Sequence, residues 1–291
     1  MITGVSPTLR RRKLAAELRR LREESGMNGV QVAKALRWST SKISRLETGQ
    51  VAPTVKDVEK LLKQYDVEAE LSEILISLAA EGGAKGWWES YSDVLNETVI
   101  ELIGLEAGAT RVRAWHATVL PGLLQTRDYA TQVGLLYRSL ELVSPSKIDR
   151  RTRVRLRRQR LLESETPLRL SVVLDEAVLR RRFGDSDDRM MREQLCHLVE
   201  VSKLPNVSIR VLRLDQPHPT DITNFLLLSF PSMPVLGPIS NDVVYYENVP
   251  LFNLVEDDET VYQYSLVFDL LVKAALDEDA SKDFMTALAD V

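Results

Sequence analysis

Four short amphipathic segments follow one another in residues 1–66, and each is bounded by residues that begin or end a helix. In the first segment, leucines recur at i, i+4 and i+7, which gives one apolar stripe on a helix. Asn28 and Ser39 are good N-caps, and Gly26 and Gly49 are good helix stops. Four short helices joined by tight turns predict a helix-turn-helix bundle, with helices over Leu14–Gly26, Gly29–Leu36, Thr40–Thr48 and a fourth that opens at Pro53 and Thr54.

The net charge of −4 is divided unevenly along the chain. Residues 1–66, here named the head, carry 14 Lys and Arg against 7 Asp and Glu, a net charge of +7. Residues 67–291 carry 24 against 35, a net charge of −11. A basic head before an acidic remainder predicts that the head alone binds a polyanion; uneven surface charge without such a partner is the alternative.

Several classes of protein are excluded by composition. The single cysteine, Cys196, excludes an internal disulfide framework and a multi-cysteine zinc site, and the three histidines share no metal-ligand spacing. The sequence contains no run of 18 apolar residues, so no membrane span is predicted. The first residues lack the apolar region of a signal peptide. We therefore expect a cytoplasmic protein without metal or cofactor. Cys196 lies in an apolar helical stripe, so we expect it in the core.

A dense motif runs from the end of the first predicted helix to the turn after the third: Leu21-Arg22, Gly26-Met27-Asn28, Val32-Ala33, Leu36, Ser39, Ser41, Ile43-Ser44-Arg45-Leu46-Glu47, Gly49 and Pro53. On this motif, residues 11–66 resemble the XRE (Cro/C1-type) family of DNA-binding domains. The family often has Thr-Gln at the start of helix two, where this chain has Asn28-Gly29. Asn28 can still cap the helix and contact a phosphate, but the backbone contact of the glutamine is lost.

In a fold of this kind the third helix enters the major groove with its N-terminal residues leading. Four residues of that helix are therefore predicted to face base edges: Thr40, Ser41, Ser44 and Arg45. The guanidinium of Arg45 is suited to bidentate reading of guanine. Residues near helix ends and turns are suited to hold DNA phosphates, namely Asn28, Lys34, Lys42, Gln50 and Lys56. The alternative is a polar helix face that meets only solvent.

Glu47 lies at the end of the predicted reading helix, where a carboxylate would repel DNA. The family resemblance implies that it pairs with Arg22 of helix one as a fold-stabilising ion pair; an exposed glutamate is the alternative. The run Arg10–Lys13 is predicted to precede helix one, either as a tail that reaches a DNA backbone or minor groove or as a solvated N-terminus.

Residues 67–86 form a predicted connector, in which a helix over Glu68–Glu81 is followed by a cluster of glycines. We place the domain boundary at these glycines and name residues 87–291 the body. Trp87 and Trp88 are the first residues of the body. We expect this pair to anchor the core rather than to stack on nucleic-acid bases.

The body is predicted to begin with a mostly helical region, residues 94–140, although residues 109–116 show no clear periodicity. Two strands, Leu168–Asp175 and Val207–Leu214, flank a helix over Asp185–Leu204, which predicts a parallel pair with a right-handed crossover. An antiparallel pair of strands and two helices complete the prediction: Phe225–Phe230, Asp242–Glu247, Thr260–Leu276 and Ser281–Leu288. The expected fold is an all-α N-terminal helix-turn-helix domain followed by a larger α+β domain with a small mixed sheet.

Short motifs of the body carry a second resemblance: Lys85-Gly86-Trp87-Trp88, Leu105-Glu106-Ala107, Pro121-Gly122-Leu123-Leu124-Gln125-Thr126, Arg158-Gln159, Leu204-Pro205-Asn206-Val207 and Tyr246-Glu247. On these, residues 85–290 are similar to the domain that follows XRE heads in many actinobacterial regulators, of which WhiJ-type developmental regulators are the named examples. The motif at 121–126 is the most specific. The resemblance implies a regulator frequently paired with a small, separately encoded partner, in an arrangement likened to antitoxin–toxin pairs.

Little in the body predicts catalysis, because glycine-rich nucleotide loops and nucleophile-elbow motifs do not occur. Asp175 and Glu176 are predicted to cap a helix. His218, in a loop between prolines, is the best candidate for ligand sensing; a loop histidine without a role is the alternative. The segment Lys147–Arg160 holds eight Lys and Arg, with Asp149 as its only acid. It is interpreted either as a second DNA contact or, alternatively, as a solvated face or a partner for the body's carboxylates.

These patterns together predict a sequence-specific DNA-binding transcription regulator that is not an enzyme. We expect it to read double-stranded DNA as a homodimer through helix 40–48, while the body dimerises and senses a partner or a small-molecule effector. The alternative is an antitoxin-like module that binds a small partner protein encoded nearby and regulates its own operon. No membrane interaction is expected.

Overall fold

The computed structural model describes the chain in four ranges, residues 5–136, 143–183, 188–248 and 251–290. Parts of two predicted helical regions, 137–140 and 185–187, lie outside the described residues. The chain divides into two compact units, which are described separately below.

The N-terminal unit consists of residues 1–90 together with residues 231–240. The side chains of four residues accept hydrogen bonds from backbone N–H groups in the first turns of its first four helices, namely Ser6, Asn28, Ser39 and Thr54. The helical head with a helix-turn-helix is confirmed. Its helices are α1 (Pro7–Glu24), α2 (Gly29–Leu36), α3 (Thr40–Glu47), α4 (Val55–Gln64) and α5 (Ala69–Gly82).

The run Arg10–Lys13 lies inside α1, so the prediction of a basic tail before helix one is wrong. Ser6 caps the helix and Pro7 occupies its first turn. Backbone N–H groups in the first turn make no hydrogen bond within the helix, so a proline, which has no N–H, is tolerated there. These two residues begin α1 well before the leucine stripe from which the sequence placed it. Arg10 pairs with Glu81 of α5 at 3.1 Å, so its charge is used within the N-terminal unit.

Six strands form one mixed sheet in the order β3-β2-β1-β4-β7-β8, and two more form a separate hairpin. In chain order they are β1 (Arg111–His116), β2 (Arg169–Asp175), β3 (Val207–Leu212), β4 (Asn224–Ser229), β5 (Ser232–Met233), β6 (Gly237–Pro238), β7 (Val243–Asn248) and β8 (Leu251–Val255). The pairs β1–β2 and β2–β3 are parallel, and the other neighbours are antiparallel. The predicted α+β fold is confirmed, as are the parallel pair β2–β3 and the antiparallel pair β4–β7.

The C-terminal unit, residues 91–230 and 241–291, contains the six-stranded sheet and seven described helices. Trp115, Phe225 and Val244 on one face of the sheet pack against Phe268 and Leu271. Those two residues belong to α11, which covers this face. The helices are α6 (Glu97–Glu106), α7 (Arg127–Leu136), α8 (Pro145–Arg158), α9 (Glu176–Arg180), α10 (Asp188–Val201), α11 (Asp258–Ala274) and α12 (Glu278–Ala289).

Residues 111–116, for which the sequence shows no clear periodicity, form the strand β1 near the middle of the sheet. One prediction for the body is wrong, because Cys196 is exposed rather than buried. Leu195 and Leu198 of the same helix are 3% and 0% exposed, so the buried stripe of α10 passes beside Cys196.

The hairpin of β5 and β6 belongs to the N-terminal unit although it follows β4 in the chain. Leu236 at its turn is 8% exposed and lies in the same core cluster as Leu18 of α1 and Leu75 of α5. Lys13 Nζ donates to the carbonyl of Leu236 at 2.8 Å. The helical core of the N-terminal unit is therefore completed by a segment from far along the chain. Within the described ranges, no helix is long and apolar enough to cross a membrane.

Candidate DNA-reading face and C-terminal cavity

The second helix of the helix-turn-helix pair, α3, has one buried side and one exposed polar side. Ile43 and Leu46 are each 2% exposed and pack in the core of the N-terminal unit. Because an α-helix has 3.6 residues per turn, the residues between and before these two point to the other side. All four residues predicted to read bases are exposed: Thr40, Ser41, Ser44 and Arg45.

Four of the five predicted phosphate-binding residues are exposed: Asn28, Lys34, Gln50 and Lys56. The side chain of Asn28 caps α2, where its Oδ1 accepts from the backbone N–H of Gln31 at 3.0 Å. Lys42 differs from the other candidates. Its Nζ donates to Asp57 Oδ1 at 2.7 Å and lies 3.7 Å from the ring centre of Trp38. The structure therefore uses the charge of Lys42 to join α3 to α4.

Arg22 and Glu47, which the family resemblance paired, lie together in the structure. Arg22 Nε donates to Glu47 Oε1 at 2.7 Å, and the two side chains are 14% and 11% exposed. The hydrogen bond to Glu47 raises the pKa of Arg22. A second donation, from Nη1 to the carbonyl of Met27 at 3.0 Å, ties the same guanidinium to the turn before α2.

A cavity of about 530 Å³ lies within the C-terminal unit and is lined by α6, α8, residues 119–125 and part of the sheet. The sheet residues His116, Leu226 and Tyr245 contribute from the face opposite α11. Much of the remaining wall is apolar, including Val99 and Leu102 of α6. A volume of this size falls within the range of about 300–1,000 Å³ that is typical of small-molecule sites.

A buried ion pair forms one end of the cavity wall. Arg158 Nε and Nη2 each donate to a carboxylate oxygen of Glu106 at 2.7 Å, and the two side chains are 10% and 1% exposed. Burial opposes the charge on Arg158, but attraction to Glu106 outweighs it and raises the pKa of the arginine. Arg150 of the same helix pairs with Asp93. Three arginines of the basic segment 147–160 thus pair with carboxylates of their own unit, namely Arg150, Arg153 and Arg158.

Two further polar groups lining the cavity are only partly bonded. His116 Nδ1 lies 2.9 Å from the carbonyl of Val119, and its Nε2 is buried without a partner among the described residues. Burial lowers the pKa of His116 to about 4, so its ring is neutral near pH 7. Gln125 Nε2 donates to the carbonyl of Leu120 at 2.7 Å, and its Oε1 likewise has no partner in the described ranges.

The loop that carries Gln125 is held by two other glutamines. Gln159 Nε2 donates to the carbonyl of Gln125 at 2.6 Å. Gln194, which is fully buried, accepts from Thr126 N and donates to Leu124 O, both at 2.7 Å. A Cβ on Gly122 would lie 3.3 Å from Arg158 Nη1, so glycine leaves room for the buried guanidinium. The motif at 121–126 therefore shapes one wall of the cavity.

The histidine singled out from the sequence lies elsewhere. His218 is not among the residues that line the cavity; its Nε2 lies 2.9 Å from Asp175 Oδ2 and its Nδ1 lies 3.0 Å from the carbonyl of Gln216. Asp175 also caps α9 by accepting from Ala177 N at 2.7 Å, which confirms the predicted capping role. Sequence reasoning missed His116 as a cavity residue, and the neighbouring motif at 121–126 was the one signal that marked this part of the chain.

Comparison with known families gives two matches. Residues 13–74 match the model of a helix-turn-helix domain. Residues 99–287 match the model of a domain of unknown function, DUF5753. No curated protein and no solved structure shows significant similarity to the chain.

Proposed function

Because the chain belongs to the DUF5753 family and carries a helix-turn-helix domain at its N-terminus, we propose that it is a sequence-specific transcription regulator of the XRE type. The helix-turn-helix domain indicates a DNA-binding regulator. In this proposal α3 lies in the major groove and reads bases, and no catalytic step is assigned to the protein. The C-terminal unit dimerises and senses an effector.

The exposed side of α3 is the observation that carries the proposal. Thr40 and Ser41 offer hydroxyl groups in its first turn, which is the end that leads into the groove in helix-turn-helix proteins. Ser44 and the guanidinium of Arg45 follow on the same exposed side. The acidic side chain of the same helix, Glu47, is turned inward and paired with Arg22. Residues 1–66 carry a net charge of +7. The head is therefore positive, and the one carboxylate of its reading helix is paired with an arginine. Both features suit a polyanionic partner.

Reading by a homodimer is supported by an apolar stripe on α11. Tyr262, Leu266 and Leu270 follow one another at intervals of four residues and are 64%, 45% and 51% exposed. Residues four apart lie on the same side of a helix, so these side chains form one continuous surface. Clustered exposed apolar side chains mark interaction sites in soluble proteins. We assign this stripe to a second copy of the chain, because helix-turn-helix regulators commonly bind paired half-sites as dimers.

DNA reading is tested by selecting duplexes from a random library with the full-length protein. We expect two half-sites whose centres are about 34 Å apart, or a multiple of this spacing. Lys34→Ala should weaken binding to every duplex alike and reduce the slope of log affinity against log salt by about 1. Lys203→Ala, an exposed lysine of the C-terminal unit, is the matched control. Enrichment of no sequence would contradict the proposal.

The dimer is tested by sedimentation of the full-length protein. We expect Leu266→Glu to convert the dimer to a monomer, because a carboxylate in the apolar stripe would be desolvated without a partner. Leu214→Glu, at a leucine that is 55% exposed and lies outside α11, should leave the dimer intact. A monomeric wild-type chain, or a dimer that survives Leu266→Glu, would contradict this part of the proposal.

A further inference from the structure

We propose that the cavity of the C-terminal unit binds a neutral, mainly apolar small molecule that donates hydrogen bonds to His116 Nε2 and Gln125 Oε1. The inference deepens the effector-sensing part of the proposed function and rests on it only for its regulatory meaning. Binding itself is measured without DNA, so its failure is distinguishable from a failure of DNA reading.

The polarity of the ligand follows from the two groups that lack partners. A carbonyl oxygen only accepts, so the contact with Val119 O places the proton of the neutral His116 ring on Nδ1. Nε2 is then a bare acceptor. The amide nitrogen of Gln125 is used by Leu120 O, and the oxygen that remains is also an acceptor. Two buried acceptors without partners are costly, and a ligand with hydroxyl or N–H donors satisfies both.

The charge of the ligand follows from the ionised side chains along the wall. Three acidic residues and three arginines line the cavity, so their formal charges cancel. Each has a partner within the C-terminal unit. Glu247, for example, accepts from the hydroxyl of Tyr245 at 2.7 Å, and Arg151 Nε donates to the carbonyl of Val94 at 2.6 Å. The six residues are Asp93, Glu106, Glu247, Arg151, Arg155 and Arg158.

A charged ligand group would therefore have to displace an existing partner. The strongest competitor would be the Arg158–Glu106 pair, in which two charge-assisted hydrogen bonds already satisfy both groups. Breaking a buried pair on one side leaves the other charge without compensation. A neutral molecule avoids this cost and packs against the apolar side chains of the wall, such as Val99 and Leu102 of α6.

Three dyes with one skeleton test these requirements by fluorescence titration of the full-length protein. N-phenyl-1-naphthylamine is neutral and has one N–H donor. Its N-methyl derivative is neutral and has none, and its 8-sulfonate carries a negative charge. We expect saturable binding of the first dye at one site per chain. The N-methyl derivative should bind about fivefold more weakly, because a net hydrogen bond contributes about 1 kcal/mol, and the sulfonate should also bind more weakly.

Two sets of variants locate the site. Val99→Trp, at a half-buried residue of the cavity wall, should abolish binding of the neutral dye by filling the cavity. The double variant His116→Phe with Gln125→Met should bind the two neutral dyes equally. His197→Phe is the matched control, since His197 Nε2 is also buried without a partner in the described chain but does not line the cavity.

Three results would overturn the proposal: no saturable binding of the neutral dye, binding that Val99→Trp leaves unchanged, or a preference for the sulfonate. Circular dichroism establishes that each variant is folded. If the double variant does not fold, the ratio of the affinities for the two neutral dyes is measured for the wild-type protein and for His116→Phe. The same ratio in both proteins would contradict a donor–acceptor contact in the cavity.

Discussion

Arg22 of α1 and Glu47 of α3 are joined by a hydrogen-bonded ion pair of 2.7 Å that is mostly shielded from solvent. The pair connects the first helix of the N-terminal unit to the helix with the exposed polar face. It also balances the negative charge of the one carboxylate on α3 with a positive guanidinium. Its energetic role can be separated from any role in reading DNA.

We predict that Glu47→Ala lowers the free energy of unfolding of the N-terminal unit by about 2–4 kcal/mol, because it leaves the partly buried arginine without the carboxylate that lies nearest to it. Thermal melting followed by circular dichroism measures the loss. Glu24→Ala, which removes an exposed partner of Arg20, is the control and should leave melting unchanged. A Glu47→Ala protein with unchanged melting and a new DNA preference would refute the structural role.

The hairpin at 231–240 supplies a second prediction. Leu236 lies in the core of the N-terminal unit, so Leu236→Ala should lower its stability by about 2–3 kcal/mol through lost packing. Val235, the preceding residue, is 63% exposed, and Val235→Ala should show no comparable loss. The measurement is the melting transition of the full-length chain. Equal behaviour of the two variants would show that the hairpin does not support the helical core.

The buried pair of Arg158 and Glu106 predicts strong coupling between two positions. Arg158→Met leaves a carboxylate buried without its partner and should cost about 3–5 kcal/mol of stability. Replacing both residues, Arg158→Met with Glu106→Leu, should recover much of that loss because no charge is left buried. Chemical denaturation of the four proteins in this cycle gives the coupling energy. Additive losses would mean that the two side chains do not act as a pair.

His116 predicts a dependence of stability on pH. Its pKa is lowered by burial from 6.5 to about 4, so between these values the unfolded chain binds a proton that the folded chain does not. The free energy of unfolding should therefore fall as the pH is lowered from about 6.5 to about 4, by up to about 3 kcal/mol from this residue. Denaturation of the wild type and His116→Phe across this range isolates the contribution. A difference between the two that does not vary with pH would contradict it.

Local signals in the sequence predicted the helices of the N-terminal unit well. Asn28 and Ser39 cap α2 and α3 as their residue types indicate, and apolar spacing identified the buried sides of the helices. The exception is the start of α1, because the pair Ser6-Pro7 lies outside the leucine periodicity. The residue types Ser6 and Pro7, which favour a helix N-terminus, indicate this earlier start.

Features that depend on distant residues could not be predicted in the same way. The strand β1 alternates arginine with apolar residues at its start, and Arg113 is accommodated by α11, where Ser265 Oγ accepts a hydrogen bond from its Nη1 at 2.9 Å. Leu236 enters the core of a unit that is otherwise residues 1–90. The cavity joins His116 to helices on either side of it in the chain, so no local pattern marks it.

The most direct test compares the affinity of wild type and Arg45→Ala for the selected duplex and for a scrambled duplex at one salt concentration. We predict that the variant loses about tenfold or more in affinity for the selected duplex, because a bidentate guanine contact contributes about 1–3 kcal/mol. Its affinity for the scrambled duplex should stay within about twofold, because phosphate contacts dominate non-specific binding. Arg189→Ala, at an exposed arginine of the C-terminal unit, should behave as wild type. Equal losses on both duplexes, or none on either, would contradict base reading by α3.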